Sequence, residues 1–162
     1  MKYTIALAAA FAFASCVRQR NSAPQLQAQI DSLRHELENM YKPGFGEFMT
    51  IIQVHHNKLW FAGINNNWEL ADFEVHEIEE SIDDLKTYWP KRTETNHLGM
   101  IEQPLANVTD AIHHQNTIEF KDAYMTLTSN CNSCHQATQH AFNVITIPTT
   151  PPFGNQSFEP SR

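Results

Sequence analysis

The sequence predicts an all-α protein in which four amphipathic helices form an up-down-up-down bundle. Three observations support this prediction. Apolar residues recur at spacings of three and four in four segments, turn-forming Asn, Pro or Gly residues separate these segments, and no segment has the two-residue period of a β-strand. A chain of 162 residues is long enough for one domain with a real core, and short connections favour antiparallel neighbouring helices.

The composition excludes several classes of protein. Hydrophobic residues make up 41% of the chain and only 5 residues are glycine, which excludes a disordered or fibrous protein. The formal net charge is −7 with neutral histidines, and Lys and Arg form no cluster that would contact phosphates. We therefore predict no binding to nucleic acid. An acidic protein of this kind favours a basic partner.

The N-terminus is typical of an exported bacterial protein. Residues 1–15 contain one early positive charge and then an apolar run that is too short for a permanent membrane anchor. We therefore predict a signal peptide over residues 1–15. Cys16 follows in the position of a lipidated cysteine, although Phe13 stands where the lipobox of bacterial lipoproteins prefers Leu. Ala12-Phe13-Ala14 also fits an ordinary cleavage site, so lipidation of Cys16 is favoured and release into the periplasm is the alternative.

Residues 16–43 are predicted to be a lipid-anchored tether with a short amphipathic helix. Residues 17–25 are polar and contain Pro24, whereas the pattern becomes helical from about residue 25 to residue 41. The apolar residues of this helix are Ile30, Leu33, Leu37 and Met40. We expect the helix to pack on its own domain, and the alternative is that it pairs with a second copy of the chain in a homodimer.

The four-helix bundle is predicted over residues 44–142. Its helices are expected at four places: from about residue 47 to 64, from residue 68 to about 88, from near Pro104, and from near Asn116. Asn116 and Glu119 resemble a capping box at the start of the last helix. The acidic residues of the second helix, with Glu74 among them, are expected mostly on its outer side. The residues expected to face the core are Phe45, Phe48, Ile52, Leu59, Ala62, Ala71, Val75, Ile78, Ile82, Leu85, Leu105, Val108, Ile112, Phe120, Tyr124, Leu127, Cys131 and Cys134.

Residues 143–162 are predicted to be an extended tail that packs on the bundle. The stretch from Val144 to Arg162 contains four prolines, so it cannot form a regular helix. Phe153 and Phe158 are large apolar residues within it. Their presence favours a tail that lies along the bundle over one that is surrounded by water.

The chemistry is concentrated in Cys131-Asn132-Ser133-Cys134-His135. A zinc site would need further ligands, and adjacent Cys134 and His135 make a poor chelate. A thioredoxin-like pair would need a βαβ context that the pattern lacks. The CxxCH pattern is that of c-type haem attachment, in which both sulfurs bond to the porphyrin and His135 is the proximal iron ligand. A simple disulfide is the remaining alternative; haem is favoured because export is predicted and no cysteine is left unexplained.

A helical bundle with CxxCH on its last helix resembles the cytochrome c′ class of monohaem cytochromes. A more specific similarity, over about residues 44–160, is to a family of small exported bacterial monohaem cytochromes; it lies in the stretches "HHNKLWFAGINNNWELADFE", "SNCNSCHQATQHAF" and "PTTPPFGNQSF". The resemblance implies one covalent haem c at Cys131 and Cys134, with His135 as the proximal ligand. The polar residues on the first bundle helix and the long tail depart from cytochrome c′. The resemblance does not define the function.

A sixth iron ligand would decide between electron transfer and gas binding. In an antiparallel bundle the end of the last helix lies near the first half of the first bundle helix. The candidates there are His56, His55 and Met49. His56 is favoured because it shares its row with Trp60, and the resemblance also points to it. An iron without a sixth protein ligand is the alternative.

We expect a monohaem c-type cytochrome that carries electrons in the periplasm or at the membrane surface, with a basic redox partner protein. The alternative is a gas-binding haem protein of the cytochrome c′ type, which takes NO or CO at an open distal site. A third hypothesis is a non-haem lipoprotein in which Cys131 and Cys134 form a disulfide. No enzymatic activity is expected, because no carboxylate pair or nucleophile–base arrangement stands out.

Overall fold

The computed structural model describes residues 23–161 of the chain. All regular elements in this part are helices, which confirms the all-α prediction. None of these helices is long and apolar enough to cross a membrane. The predicted signal peptide and Cys16 lie outside the described residues. The helices are α1 (described over residues 23–39), α2 (Phe45–Ile64), α3 (Trp68–Tyr88), a short 3₁₀ helix (Thr95–His97), α4 (Gly99–His113) and α5 (Thr117–Ala137).

The described part of the chain divides into two compact units, residues 23–42 and residues 43–161. In the first unit, helix α1 carries Ile30, Leu33 and Leu37 of the predicted apolar row, and Met40 follows directly after the helix. The side chains of this row are between 43% and 69% exposed: Ile30, Leu33, Leu37 and Met40. Packing of α1 on its own domain and pairing with a second copy both stay predictions.

In the second unit the helices pack in two pairs. Helix α2 lies along α3, and α4 lies along α5. Further contacts join α3 to α4 and α2 to α5. Residues 65–67 connect the first pair and residues 114–116 connect the second. All four helices contribute side chains to one core.

The core is built from the apolar rows that the sequence predicts. Phe45, Ile52 and Cys131 are partly buried against it. Burying one aliphatic or aromatic side chain contributes about 1.5–3 kcal/mol, so these rows supply the main driving force for packing. The residues of the predicted rows that are buried in the core are Phe48, Leu59, Ala62, Ala71, Val75, Ile78, Ile82, Leu85, Leu105, Val108, Ile112, Phe120, Tyr124 and Leu127.

Helix α4 begins earlier than the sequence predicts. It starts at Gly99, and the expected start near Pro104 is wrong because the proline lies in the second turn. A proline inside a helix removes one backbone hydrogen bond, which local preference alone would avoid. Leu98 and Ile101 are buried in the core. Their burial in the tertiary structure outweighs the local cost at the proline.

Glu74 departs from the exposed acidic face predicted for α3, because its side chain is fully buried. Oε2 of this carboxylate lies 2.6 Å from Nδ1 of His55 on α2. Oε1 lies 3.4 Å from Nζ of Lys58, also on α2. A buried carboxylate needs such polar or charged partners. The pattern of α3 alone does not reveal that a neighbouring helix supplies them.

Asparagine side chains cap the starts of two helices. Oδ1 of Asn67 accepts a hydrogen bond from the backbone N–H of Leu70 in α3. Oδ1 of Asn116 accepts from the backbone N–H of Glu119 in α5, as the sequence predicts. The carboxylate of Glu119 lies 3.2 Å from Nδ1 of His114 and does not reach back to the cap. The two caps end the turns that join α2 to α3 and α4 to α5.

After α5, the described chain has no regular secondary structure up to residue 161. Its last part contacts the region where α2 and α3 meet. The side-chain amide of Asn67 donates a hydrogen bond to the carbonyl of Glu159 at 3.0 Å. Phe158 is buried, and its ring centroid lies 5.6 Å from that of Phe61 on α2. These contacts attach the C-terminal segment to the helices.

A methyl group at Gly63 of α2 would overlap the ring of Phe120 on α5. We expect Gly63→Ala to lower the free energy of unfolding by about 1–3 kcal/mol, because overpacking forces the two helices apart. Urea unfolding followed by circular dichroism measures this change. Gly46→Ala on the same helix is the matched control, since nothing lies within 4 Å of a Cβ at that position. Equal losses in both variants would contradict the prediction.

Candidate functional site

A cavity of about 340 Å³ lies beside the C-terminal half of α5. Cys131, Cys134 and His135 all line it, so the structure brings the chemical groups of the CxxCH motif to one space. The volume is within the range of about 300–1,000 Å³ that small-molecule sites occupy. The rest of the wall comes from α2, the α3–α4 connection, α4 and the segment after α5: Phe45, Gly46, Met49, Thr50, Ile52, Gln53, Arg92, Glu94, Leu98, Ile101, Thr138, His140, Asn143 and Ile145.

Cys131 and Cys134 are free thiols on α5. They continue the row of Phe120, Tyr124 and Leu127, because helical residues spaced by three and four share one face. Burial raises the pKa of Cys131 to about 12, with a further contribution from nearby Cys134. Burial also raises the pKa of Cys134. Reactive thiols have lowered pKa values, whereas burial shifts the pKa of both of these cysteines upward.

His135 is held by a main-chain oxygen. Its Nδ1 lies 2.6 Å from the backbone carbonyl of Asn143. A carbonyl oxygen only accepts hydrogen bonds, so Nδ1 of the neutral ring carries the proton and Nε2 keeps its lone pair. Histidines that bind metals usually donate their second ring N–H to a carbonyl or carboxylate in this way. The lone pair on Nε2 of His135 is therefore the one available to a ligand.

The three predicted sixth ligands lie in different surroundings. Met49 lines the cavity, whereas His55 and His56 do not. His55 contacts the acidic side chains of α3, with Nδ1 bonded to Glu74 and Nε2 at 3.8 Å from Glu77. The structure thus brings Met49, and neither histidine, to the cavity that the two cysteines line.

His56 is buried, and both of its ring nitrogens contact hydroxyl groups of α5. Tyr124 donates its O–H to the backbone carbonyl of His56 at 2.7 Å, so the phenol oxygen accepts from Nδ1 at 2.8 Å. Nε2 lies 2.9 Å from Oγ1 of Thr128, a hydroxyl that also donates to the carbonyl of Tyr124. Burial lowers the pKa of His56 to about 4, which keeps the ring neutral at pH 7. In this arrangement the ring satisfies polar groups between α2 and α5.

Two cavity residues, Glu94 and His140, were not predicted from the sequence. Glu94 forms an ion pair with Arg92 at 2.6 Å, and the hydrogen bonds from that guanidinium lower the pKa of Glu94 to about 2. Nδ1 of His140 lies 2.7 Å from the carbonyl of Thr138, so its Nε2 also keeps a lone pair. The path of the α3–α4 connection, which places Glu94, leaves no periodic signal. His140 has one signal, its position five residues after His135 and just beyond α5.

Within residues 23–161, no group of three or more His, Cys, Asp or Glu side chains is arranged to hold a metal ion. A structural zinc site needs about four protein ligands. The zinc interpretation of the two cysteines therefore has no support in this part of the chain. A cofactor that brings its own donor atoms would need fewer protein ligands, and His135 and Met49 both line the cavity.

Stability should fall as the pH is lowered from 7 to 5, because the fold keeps His56 neutral while the unfolded chain protonates it below its ordinary pKa of 6.5. The contribution is fully present above this pKa and is lost progressively down to about pH 4. His56→Gln should remove about 2 kcal/mol of the fall between pH 7 and 5 in urea unfolding. His76→Gln removes an exposed imidazole and should keep the wild-type profile. The same fall in both variants would refute a neutral buried His56.

Comparison of the chain with models of protein families, with curated proteins and with solved structures finds no match. The resemblance to small monohaem cytochromes therefore rests on the quoted sequence stretches, and the family stays a prediction.

Proposed function

We propose that the protein is a monohaem c-type cytochrome that carries electrons on the periplasmic side of a bacterial membrane. The observation that carries this proposal is that Cys131, Cys134 and His135 line one cavity, with Nδ1 of the histidine bonded to a main-chain oxygen. Two thiols three residues apart and a histidine directly after them are the groups used in c-type haem attachment. The proposal includes an up-down-up-down arrangement of α2–α5 with the Pro-rich tail packed against it.

The side chains around the cavity fit one covalent haem. Cys131 and Cys134 would form the two thioether bonds, and His135 would be the proximal iron ligand. When bound, haem c supplies an iron that gains and loses one electron. Leu98 and Ile101 are buried apolar residues that also line the cavity, so they make part of its wall apolar. A low dielectric around the iron is one of the means by which a protein adjusts its reduction potential.

Met49 supports electron transfer because it lines the same cavity as His135. An iron with two protein ligands has no vacant position for a gas, and a thioether raises the reduction potential relative to a second histidine. We therefore place Met49, in preference to His56, as the sixth ligand. Both ring nitrogens of His56 are already engaged by Tyr124 and Thr128.

The proposed location and partner follow from the N-terminus and the charge. A lipid at Cys16 would hold the protein at the membrane surface, and cleavage without lipidation would release it into the periplasm. The net charge of −7 favours a basic redox partner, whose association should weaken as salt is added. An electron carrier needs such brief encounters more than a tight complex.

A gas-binding haem protein is the second candidate function. The apolar residues Ile52, Leu98, Ile101 and Ile145 line the cavity. Such a wall suits NO or CO beside an iron that lacks a sixth protein ligand. The two candidates therefore differ in whether Met49 binds the iron.

Covalent attachment is the first test of the proposal. The full chain, made in a bacterium with a cytochrome c maturation system, should carry one haem that remains bound after denaturation. Cys131→Ser combined with Cys134→Ser should abolish haem staining of the denatured protein, because both thioether bonds are lost. Cys16→Ser is the matched control and should retain the haem. A wild-type chain without covalent haem would overturn the proposal and favour the non-haem lipoprotein.

The optical spectrum of the ferric and ferrous protein, with and without CO, separates electron transfer from gas binding. We expect a low-spin spectrum that CO leaves unchanged in the wild type and in His56→Gln. Met49→Ala should give a high-spin, CO-sensitive spectrum, because alanine cannot bind the iron. A CO-sensitive wild type would replace electron transfer by gas binding. If the spectrum changes in His56→Gln and stays the same in Met49→Ala, the sixth ligand is His56 and not Met49.

A further inference from the structure

Asn132, the second residue of the CxxCH motif, holds the chain segment after α5. Its Nδ2 donates a hydrogen bond to the carbonyl of Ile145 at 2.8 Å, and the backbone N–H of Ile145 donates to its Oδ1 at 2.8 Å. A carboxamide has a donor and an acceptor, so it satisfies both main-chain groups of one residue. This pair of bonds fixes Ile145 beside α5.

The fixed segment carries the oxygen that contacts His135. Asn143 lies two residues before Ile145, and its carbonyl accepts the Nδ1–H of His135 at 2.6 Å. The backbone N–H of Asn143 donates to the carbonyl of His140 at 2.8 Å, which makes a turn just before this point. The position of the Asn143 carbonyl therefore depends on this turn and on where Ile145 is held.

We propose that Asn132 is a positioning residue for the proposed iron ligand His135. By holding Ile145, it keeps the carbonyl of Asn143 on Nδ1 of the imidazole, and so fixes the tautomer and the direction of the ring. The role in haem binding rests on the proposed function, whereas the connection from Asn132 to His135 does not. A hydrogen bond to Nδ1–H raises the basicity of a histidine ligand, which stabilises ferric iron and lowers the reduction potential.

The side chain of Asn132 is the testable part of this connection, because Asn143 contributes a main-chain oxygen. Asn132→Ala removes both hydrogen bonds to Ile145. Asn132→Asp sets a carboxylate oxygen against the Ile145 carbonyl, and the repulsion between the two oxygens breaks the paired hydrogen bonds. Ser133→Ala is the matched control, since Oγ of Ser133 bonds to the carbonyl of Ser129 within α5.

The measurements use the full chain loaded with haem, in the ferrous state. NMR follows hydrogen exchange at the Ile145 amide and at Nδ1–H of His135, and voltammetry gives the reduction potential. Both Asn132 variants should exchange these protons about tenfold faster or more, as expected for the loss of hydrogen bonds, and should have a higher potential. Ser133→Ala should match the wild type. Variants that keep the haem, the wild-type exchange rates and the wild-type potential would overturn the proposal.

Haem staining distinguishes failure of this inference from failure of the proposed function. If the wild-type chain carries no covalent haem, the proposed function fails, and the same NMR comparison is made on the chain as isolated. Faster Ile145 exchange and a mixture of His135 tautomers in Asn132→Ala would then support the positioning role. Unchanged exchange and a single Nδ1-protonated tautomer would refute it. If the alanine variant does not fold, the aspartate variant decides by the same measures.

Discussion

The packing of one face of α5 is the constraint on which the rest of the structure depends. Phe120 lies against Gly63, and Tyr124 stacks on His56 with ring centroids 4.4 Å apart, so α5 is held to α2 at two successive levels. The same face continues into the two cysteines of the CxxCH motif. The contacts that form the core therefore also direct the thiols into the cavity. A shift of α5 along its axis would disturb the core and the site together.

Polar contacts specify which parts of the chain pair with one another. His56 joins α2 to α5, Glu74 joins α3 to α2, and Asn132 joins α5 to the segment that follows it. An unsatisfied polar group inside a protein costs free energy, so each of these residues favours one arrangement over packed alternatives. Apolar rows alone would permit several ways of pairing four similar helices. The polar contacts reduce the number of ways in which the four helices can pair.

Features that depend on one segment were predicted from the sequence. The buried rows of α2–α5, the cap at Asn116 and the shared face of the two cysteines all follow from helical spacing. Features that depend on contacts with a second element were not predicted from the sequence. Glu74 is buried because α2 supplies partners, α4 extends before Pro104 because the core accepts its first turn, and Glu94 reaches the cavity through an irregular connection. Met49 and His56 lie on one apolar arc, so periodicity could not tell which lines the cavity.

The hydrogen bond between Asn67 and Glu159 joins residues that are 92 positions apart in the sequence. Contacts of such long range form late in folding, because a large loop must be closed at an entropic cost. If the chain is exported N-terminus first, as we propose, α2 and α3 would cross the membrane before Phe158, whose buried ring packs against Phe61 of α2. The contacts of Phe158 and Glu159 with the α2–α3 region could then form only near the end of translocation. Under the proposed export, folding of the C-terminal segment would thus be the last step.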